Sequence, residues 1–178
     1  EAFDESVEVS GELVGSLVKG LGIFSEDYEK GARAVLAEAD IETVAPDEWY
    51  PQPKWLAAFR RIADNVRPTV LERVGEQVPR FTAWPHDIDS VPDALRSVDE
   101  EYQRLHRGGD IGYYRFTYVE ERCGEVSAYT PHACAFDTGL VRGIASEHAP
   151  IDTSVTLDET GATCRSEGGS ECTYTVYW

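Results

Sequence analysis

At 178 residues, 42% of them hydrophobic, the chain is long enough for one domain with a real core and too apolar to be disordered, despite a formal net charge of −17. Lys19, Lys30 and Lys54 are the only lysines, so the surface offers no basic face to a nucleic acid; it suits a halophilic cytoplasm, where salt screens self-repulsion, with an acidic mesophilic surface as the alternative. No stretch approaches the roughly 20 apolar residues of a membrane span, nothing marks a secretory signal, and the methionine-free chain opening at Glu1 reads as a processed protein or a piece of a longer one.

Residues 1–8 are acidic and mixed, a frayed lead-in or a short strand. Ser10 to Leu21 carries Leu13, Leu17 and Leu21 at helical spacing. Ser25, followed by acids, caps a helix from Glu26 to about Asp40. After a loop over Ile41 to Pro46, Trp49-Tyr50-Pro51 opens a new unit. Pro53 to Val66 has Trp55, Leu56, Phe59 and Ile62 on one helical side, and a shorter helix runs from Pro68 to Val78. Phe81 to Pro85 reads as an aromatic linker. Ser90 and Pro92 start a long helix with Leu95, Val98, Tyr102 and Leu105 inward, ended by His106-Arg107-Gly108-Gly109. From Asp110 the period falls from about 3.6 to 2. Tyr113–Glu120 and Glu125–Tyr129 form a hairpin through Arg122-Cys123-Gly124, a helix covers Ala135–His148, and strands follow near Thr153–Leu157 and Cys172–Trp178, the last preceded by a Gly168-Gly169 turn. The fold class is α+β: one domain over 1–178, with a helical N-terminal half (9–109) packed on a C-terminal antiparallel β-β-α-β-β sheet unit (110–178).

Cys164 and Cys172 flank the Gly-Gly turn, and Cys134 precedes a helix that must pack near the last strands. Three thiolates and one further ligand suit zinc; buried free cysteines are the equal alternative, because no CxxC pair is present. Cys123 sits in a turn with no partner in view. Of the four histidines, His86 lies in a loop, His106 and His148 end helices where the dipole welcomes them, and His132 forms a His-x-Cys pair with Cys134 that can share a metal. No nucleophile elbow, phosphate-binding glycine loop or His-Glu-x-x-His is present, so an enzyme is not indicated. The aromatic residues Trp55, Phe59, Phe81, Trp84, Tyr102, Tyr113 and Phe116 are ordinary core or the lining of an apolar ligand pocket.

Several segments together resemble one superfamily: Leu13 to Leu21, the Tyr50-Pro51 unit, Tyr102-Gln-Arg-Leu-His106-Arg-Gly-Gly, Tyr113-Tyr-Arg-Phe116, and above all Gly139-Leu-Val-Arg-Gly-Ile-Ala-Ser-Glu-His148 … Cys164 … Gly169 … Cys172-Thr-Tyr-Thr-Val. The superfamily joins vinyl-reductase-type (4VR) small-molecule-binding domains, haem–nitric-oxide-binding domains and TRAPP vesicle-tethering subunits, and the closing segment resembles the vinyl-reductase-type branch. The resemblance implies a ligand-sensing module, often a homodimer and often attached to a signalling output; with no secretory signal in view, the expected location is the cytoplasm. In phenol-sensing members it implies zinc held by a cysteine pair at the spacing of Cys164 and Cys172, with Cys134 a third thiolate. Those sensors place a glutamate where this chain has Gly161, leaving His132, Asp158 and Glu159 as substitutes. In the haem-binding branch a histidine of the long helix ligates iron; the nearest here is His106. The expectation is therefore a non-enzymatic sensor of a small apolar molecule with a structural zinc site at Cys134, Cys164, Cys172 and His132. The alternatives are a haem-binding gas sensor through His106, a dimerising interaction module without ligand, and an enzyme acting on a vinyl-bearing tetrapyrrole.

Overall fold

All six expected helices form, and the first five begin where the sequence supplies a capping serine or a first-turn proline. The computed structural model describes residues 2–84 and 88–178. The helices are α1 (Gly11–Phe24), α2 (Glu26–Glu38), α3 (Gln52–Asn65), α4 (Pro68–Phe81), α5 (Val91–Arg104) and α6 (Cys134–His148). The side chains of Ser10, Ser25 and Ser90 accept from the backbone N–H groups of Glu12, Asp27 and Asp93, satisfying donors that the first turn leaves orphaned. Prolines in the first turns of α3, α4 and α5 remove N–H groups that have no helical partner there.

Two differences from expectation concern helix ends. Helix α4 runs through Pro79 to Phe81 rather than stopping at Val78, and Thr82 N–H donates to Val78 O at 3.2 Å. So late in a helix, proline removes one hydrogen bond without breaking the last turn. His106 does not end α5; with Arg107 it forms a short strand, β3. Of the expected linker, Phe81 belongs to α4, while Pro85 and the neighbouring His86 lie outside the described residues.

The sequence pattern missed a small sheet. Strands β1 (Glu8–Ser10), β2 (Trp49–Pro51) and β3 (His106–Arg107) pair antiparallel in the order β2-β1-β3. Each is too short to show a period of 2. Val9 pairs with Tyr50 on one side and His106 on the other, so the three side chains share a face. The main sheet has the order β4-β5-β7-β6, built from β4 (Tyr113–Glu120), β5 (Cys123–Tyr129), β6 (Thr156–Glu159) and β7 (Cys172–Tyr177). Strand β6 begins three residues later than the expected one. Register puts Tyr114, Val126, Ala128, Cys172, Tyr174 and Val176 on the buried face, and Tyr113, Arg115, Thr173 and Asp158 on the other.

The two halves meet where α4 lies against α6, and glycine makes that approach possible. A Cβ on Gly139 would run into the carbonyl of Glu72, and one on Gly75 into that of Phe136. Arg142 on α6 bridges Glu72 and Glu76 on α4 across the rim of this contact. Leu71, Val74 and Val78 of α4 then pack in one core with Leu17 and Leu21 of α1 and Leu140 and Ile144 of α6. Among the described residues, no helix is long and apolar enough to cross a membrane.

Candidate functional site

Two clusters of reactive side chains sit at the junction of the halves, joined by one ion pair. The first is a group of three thiols. Cys134 opens α6, Cys172 opens β7, and Cys164 stands before a 3-10 turn over Arg165–Glu167, which Gly168 closes in the left-handed conformation (φ 92°). The Sγ atoms lie 3.3 Å (Cys164–Cys134), 3.0 Å (Cys164–Cys172) and 3.5 Å (Cys172–Cys134) apart. Among the described residues this is the one group of three metal-ligating side chains that converges. Sulfurs bound tetrahedrally at ~2.3 Å from zinc stand about 3.8 Å apart, so a small outward adjustment admits the ion.

The thiols are not equivalent. Burial, reinforced by Cys172 and Glu159, pushes Cys164 up to about 12. Burial also raises Cys134. It works the same way on Cys172, but hydrogen bonds from Cys164 and from the backbone and guanidinium of Arg165 outweigh it and hold Cys172 below its ordinary value. Cys172 is thus the thiol that ionises first. Cys123, at the far end of the sheet, takes no part.

Register sorts the substitutes for a fourth ligand. Glu159 pairs with Tyr174 and so lies on the face that carries Cys172, and it helps to raise the Cys164 thiol, although its carboxylate stands outside the converged group of three sulfurs. Asp158 pairs with Thr175 and faces away. His132 does not join the thiols, contrary to expectation. Its ring turns into the core and packs edge-on against Phe59, Tyr102 and Phe136, with centroids 5.4–5.8 Å away. The reason is the β5–α6 connection: Thr130 Oγ1 and Arg165 anchor it from the thiol side, so the next side chain points inward.

The second cluster is centred on His132 and His106, whose ring centroids are 6.4 Å apart. Both are buried. His106 Nδ1 lies 2.8 Å from Tyr102 O; a carbonyl only accepts, so Nδ1 carries the proton and Nε2 presents a lone pair. Burial holds the His106 imidazole neutral, lowering its pKa to about 4. Neither His106 Nε2 nor His132 Nε2 has a hydrogen-bond partner in the protein, and His132 Nδ1 stands 3.8 Å from Asp137 Oδ1, beyond hydrogen-bond distance. A void of about 10 Å³, large enough for about one water, adjoins His132, lined also by Tyr102, Tyr114, Phe136, Trp84 and aliphatic residues.

Arg165 and Asp137 link the clusters. Asp137 is fully buried in the first turn of α6 and accepts from Tyr114 Oη (2.5 Å), Thr130 Oγ1 (2.7 Å) and the Arg165 guanidinium. Burial raises its pKa, but His132, Arg165 and Tyr114 together reverse that and keep it ionised. The backbone N–H of Arg165 points at Cys172 Sγ, 3.5 Å away.

The aromatic residues expected to line one pocket separate into groups. Trp84 and Tyr102 border the void, with Trp84 Nε1 donating to Ser97 Oγ and Tyr102 Oη to Ile111 O. Trp55 and Phe59 pack on one another, and Phe59 reaches His132. Three do not join. Phe81 ends α4 beneath the Lys19 ammonium, and Phe116 lies under Arg96 further along β4. Tyr113 points to the opposite sheet face, where it bonds Glu171. Gln52, Asp137 and Arg165 carried no signal as isolated polar residues in sequence.

No family model matches the sequence, and no curated protein is similar to it. Solved structures share its fold. A structure described as an H-NOX protein from S. oneidensis in the Fe(II)NO ligation state superposes with a TM-score of 0.69 at 13% identity, covering 94% of this chain and 97% of that one. An oxygen-binding H-NOX domain related to soluble guanylate cyclases gives 0.68 at 14% identity, covering 94% of each chain. A third, from work on haem redox potential and protein-induced porphyrin distortion, gives 0.68 at 16% identity over 95% of this chain and 99% of that one. The common fold is that of H-NOX domains.

Proposed function

We propose that this domain senses a small molecule held between the helical half and the sheet unit, with a zinc ion at the thiol cluster fixing the sheet end. One observation carries the reading: His106, neutral and buried where the halves meet, turns an unpartnered Nε2 into a nearly filled apolar core. A buried polar atom without a partner is costly unless something else binds it. The H-NOX fold of the neighbours supports a sensing role. Cys134, Cys164 and Cys172 would hold the zinc, with Glu159 the fourth ligand in place of His132. When bound, the ion neutralises clustered thiolates and ties α6 to β7.

Haem is the second reading, and His106 favours it, since a histidine that ligates a metal through Nε2 commonly donates Nδ1–H to a carbonyl. His106 fits as an axial ligand; the room around it does not fit a macrocycle. A void of about 10 Å³ is far below the ~300–1,000 Å³ of ordinary ligand pockets. As packed here, the core suits a compact ligand, and haem requires the helical half to part from the sheet. Absorbance of protein reconstituted with haemin separates the readings. A Soret band lost in His106→Leu establishes haem; no band, together with stabilisation by small apolar ligands, establishes the first reading. Failure of both leaves the dimerising interaction module, and sedimentation would report the homodimer expected of the family.

A further inference from the structure

We infer that Gln52, Trp55, His106 and His132 form the polar recognition set for a flat, uncharged ligand bearing a hydrogen-bond donor beside an acceptor, such as a lactam or an N–H heteroaromatic. This rests on the reading of the core as the ligand site and adds what that site recognises. Six buried side-chain atoms on these four residues lack a hydrogen-bond partner: Gln52 Oε1 and Nε2, Trp55 Nε1, His106 Nε2 and both His132 nitrogens, of which His132 Nδ1 stands 3.8 Å from Asp137 Oδ1. Gln52 and Trp55 are fully buried.

The topology links the four through shared neighbours. The backbone N–H of Gln52 donates to Val7 O, extending the β1–β2 pairing by one step, and Val9 pairs with His106. Gln52 and His106 therefore flank the buried valines of β1. Trp55 follows Gln52 by one helical turn on α3, and Phe59 carries that face on to His132. A single bridging water does not account for the set. Water makes about four hydrogen bonds at most, and of these four residues only His132 borders the void.

The donors and acceptors define the ligand class. Trp55 Nε1–H only donates, and His106 Nε2, its tautomer set by Tyr102, only accepts. Gln52 offers a donor and an acceptor in one plane, the match for an N–H beside a C=O. Phe59, Tyr102 and Phe136 supply apolar walls around His132. The carboxylate beside His132, that of Asp137, is already engaged by Tyr114, Thr130 and Arg165, so it is not free to serve a charged ligand as counter-ion. Helix α3, which carries Gln52, Trp55 and Phe59, is held on its outer side by exposed ion pairs, Lys54–Asp40 and Arg61–Glu38, which contribute little and permit it to yield.

The test uses the full chain with two probes of similar shape: 2-quinolinone, with N–H beside C=O, and naphthalene, with neither. Thermal shift and isothermal titration should show 2-quinolinone binding at least about tenfold more tightly than naphthalene. Gln52→Leu should raise the melting temperature of the ligand-free protein, by removing unpaired polar atoms, and abolish that preference. Trp55→Phe, which removes the indole N–H and keeps an aromatic ring, should weaken 2-quinolinone alone. Equal binding of both probes, unaffected by Gln52→Leu, leaves the core as a ligand site and overturns the polar recognition. A melting temperature lowered by Gln52→Leu makes Gln52 a structural residue and overturns it as well. Binding of neither probe overturns the inference together with the reading beneath it.

Discussion

Arg165 donates to the carboxylate of Asp137 while its own backbone N–H faces the sulfur of Cys172, so one residue touches the thiol cluster and the buried carboxylate at the centre of the fold. Both partners are shielded from water, Asp137 completely. Removing one partner leaves an uncompensated buried charge, which typically costs about 3–5 kcal/mol. Arg165→Met should lower stability by that order in urea denaturation and also weaken metal binding. Arg165→Lys should recover part of the charge interaction but not the simultaneous contacts to Thr130, His132 and Asp137.

Glycine substitutions should have opposite signs at two positions. Gly139→Ala forces a methyl group into the Glu72 carbonyl and should separate α4 from α6, costing about 1–3 kcal/mol or more. Gly31→Ala, exposed in the middle of α2 with no atom within 4 Å of the added carbon, should stabilise by roughly 0.5–1 kcal/mol. Paired denaturation curves check both.

Stability should fall on acidification through a window set by His106. Its pKa is about 4 in the folded protein and 6.5 when exposed, so between these values the unfolded chain binds the extra proton. The contribution is intact above pH 6.5 and is lost as pH falls toward 4, amounting to about 3 kcal/mol. Metal-free protein unfolded in urea at a series of pH values would show it, and His106→Leu should flatten that part of the profile.

Zinc should bind one ion per chain and stabilise by about 2.7 kcal/mol at a hundred times its dissociation constant. Cys172→Ser should abolish this gain, and Glu159→Gln should weaken it. Asp158→Asn should leave it unchanged, because that side chain faces away from the thiols. Elemental analysis and melting curves with and without chelator would decide. A metal content well below one per chain, with no effect of chelator, would remove the site.

Salt should stabilise the fold. With 33 carboxylates against 16 lysines and arginines, raising sodium chloride from 0.1 to 1 M, which shortens the screening length from ~10 to ~3 Å, should raise the melting temperature. A neutral osmolyte of equal osmolarity serves as the control.

Local chemistry along the chain determined the helices and the β4–β5 hairpin, and the apolar face of α6, which must cover the sheet, indicated the approach of Cys134 to the Cys164–Cys172 turn. Capping serines, first-turn prolines, periods of 3.6 and 2 and a Gly-Gly turn act over a few residues and can be read in order. What depended on long-range pairing came only with the tertiary structure. The β2-β1-β3 sheet joins residues some 40 to 100 positions apart through strands of two or three residues, and it moved His106 from a helix end to the wall of the core. The same holds for His132, which is two residues from Cys134 yet faces away from it because Arg165, 33 residues later, anchors its connection from the other side. Glu159 and Asp158 are equivalent as neighbours in sequence; the pleat of β6 against β7 separates them, because successive side chains on a strand point to opposite faces. Gln52 and Trp55 show the same division: their helix was legible from its apolar period, but that their polar atoms would be enclosed without partners was decided by what packs over that face.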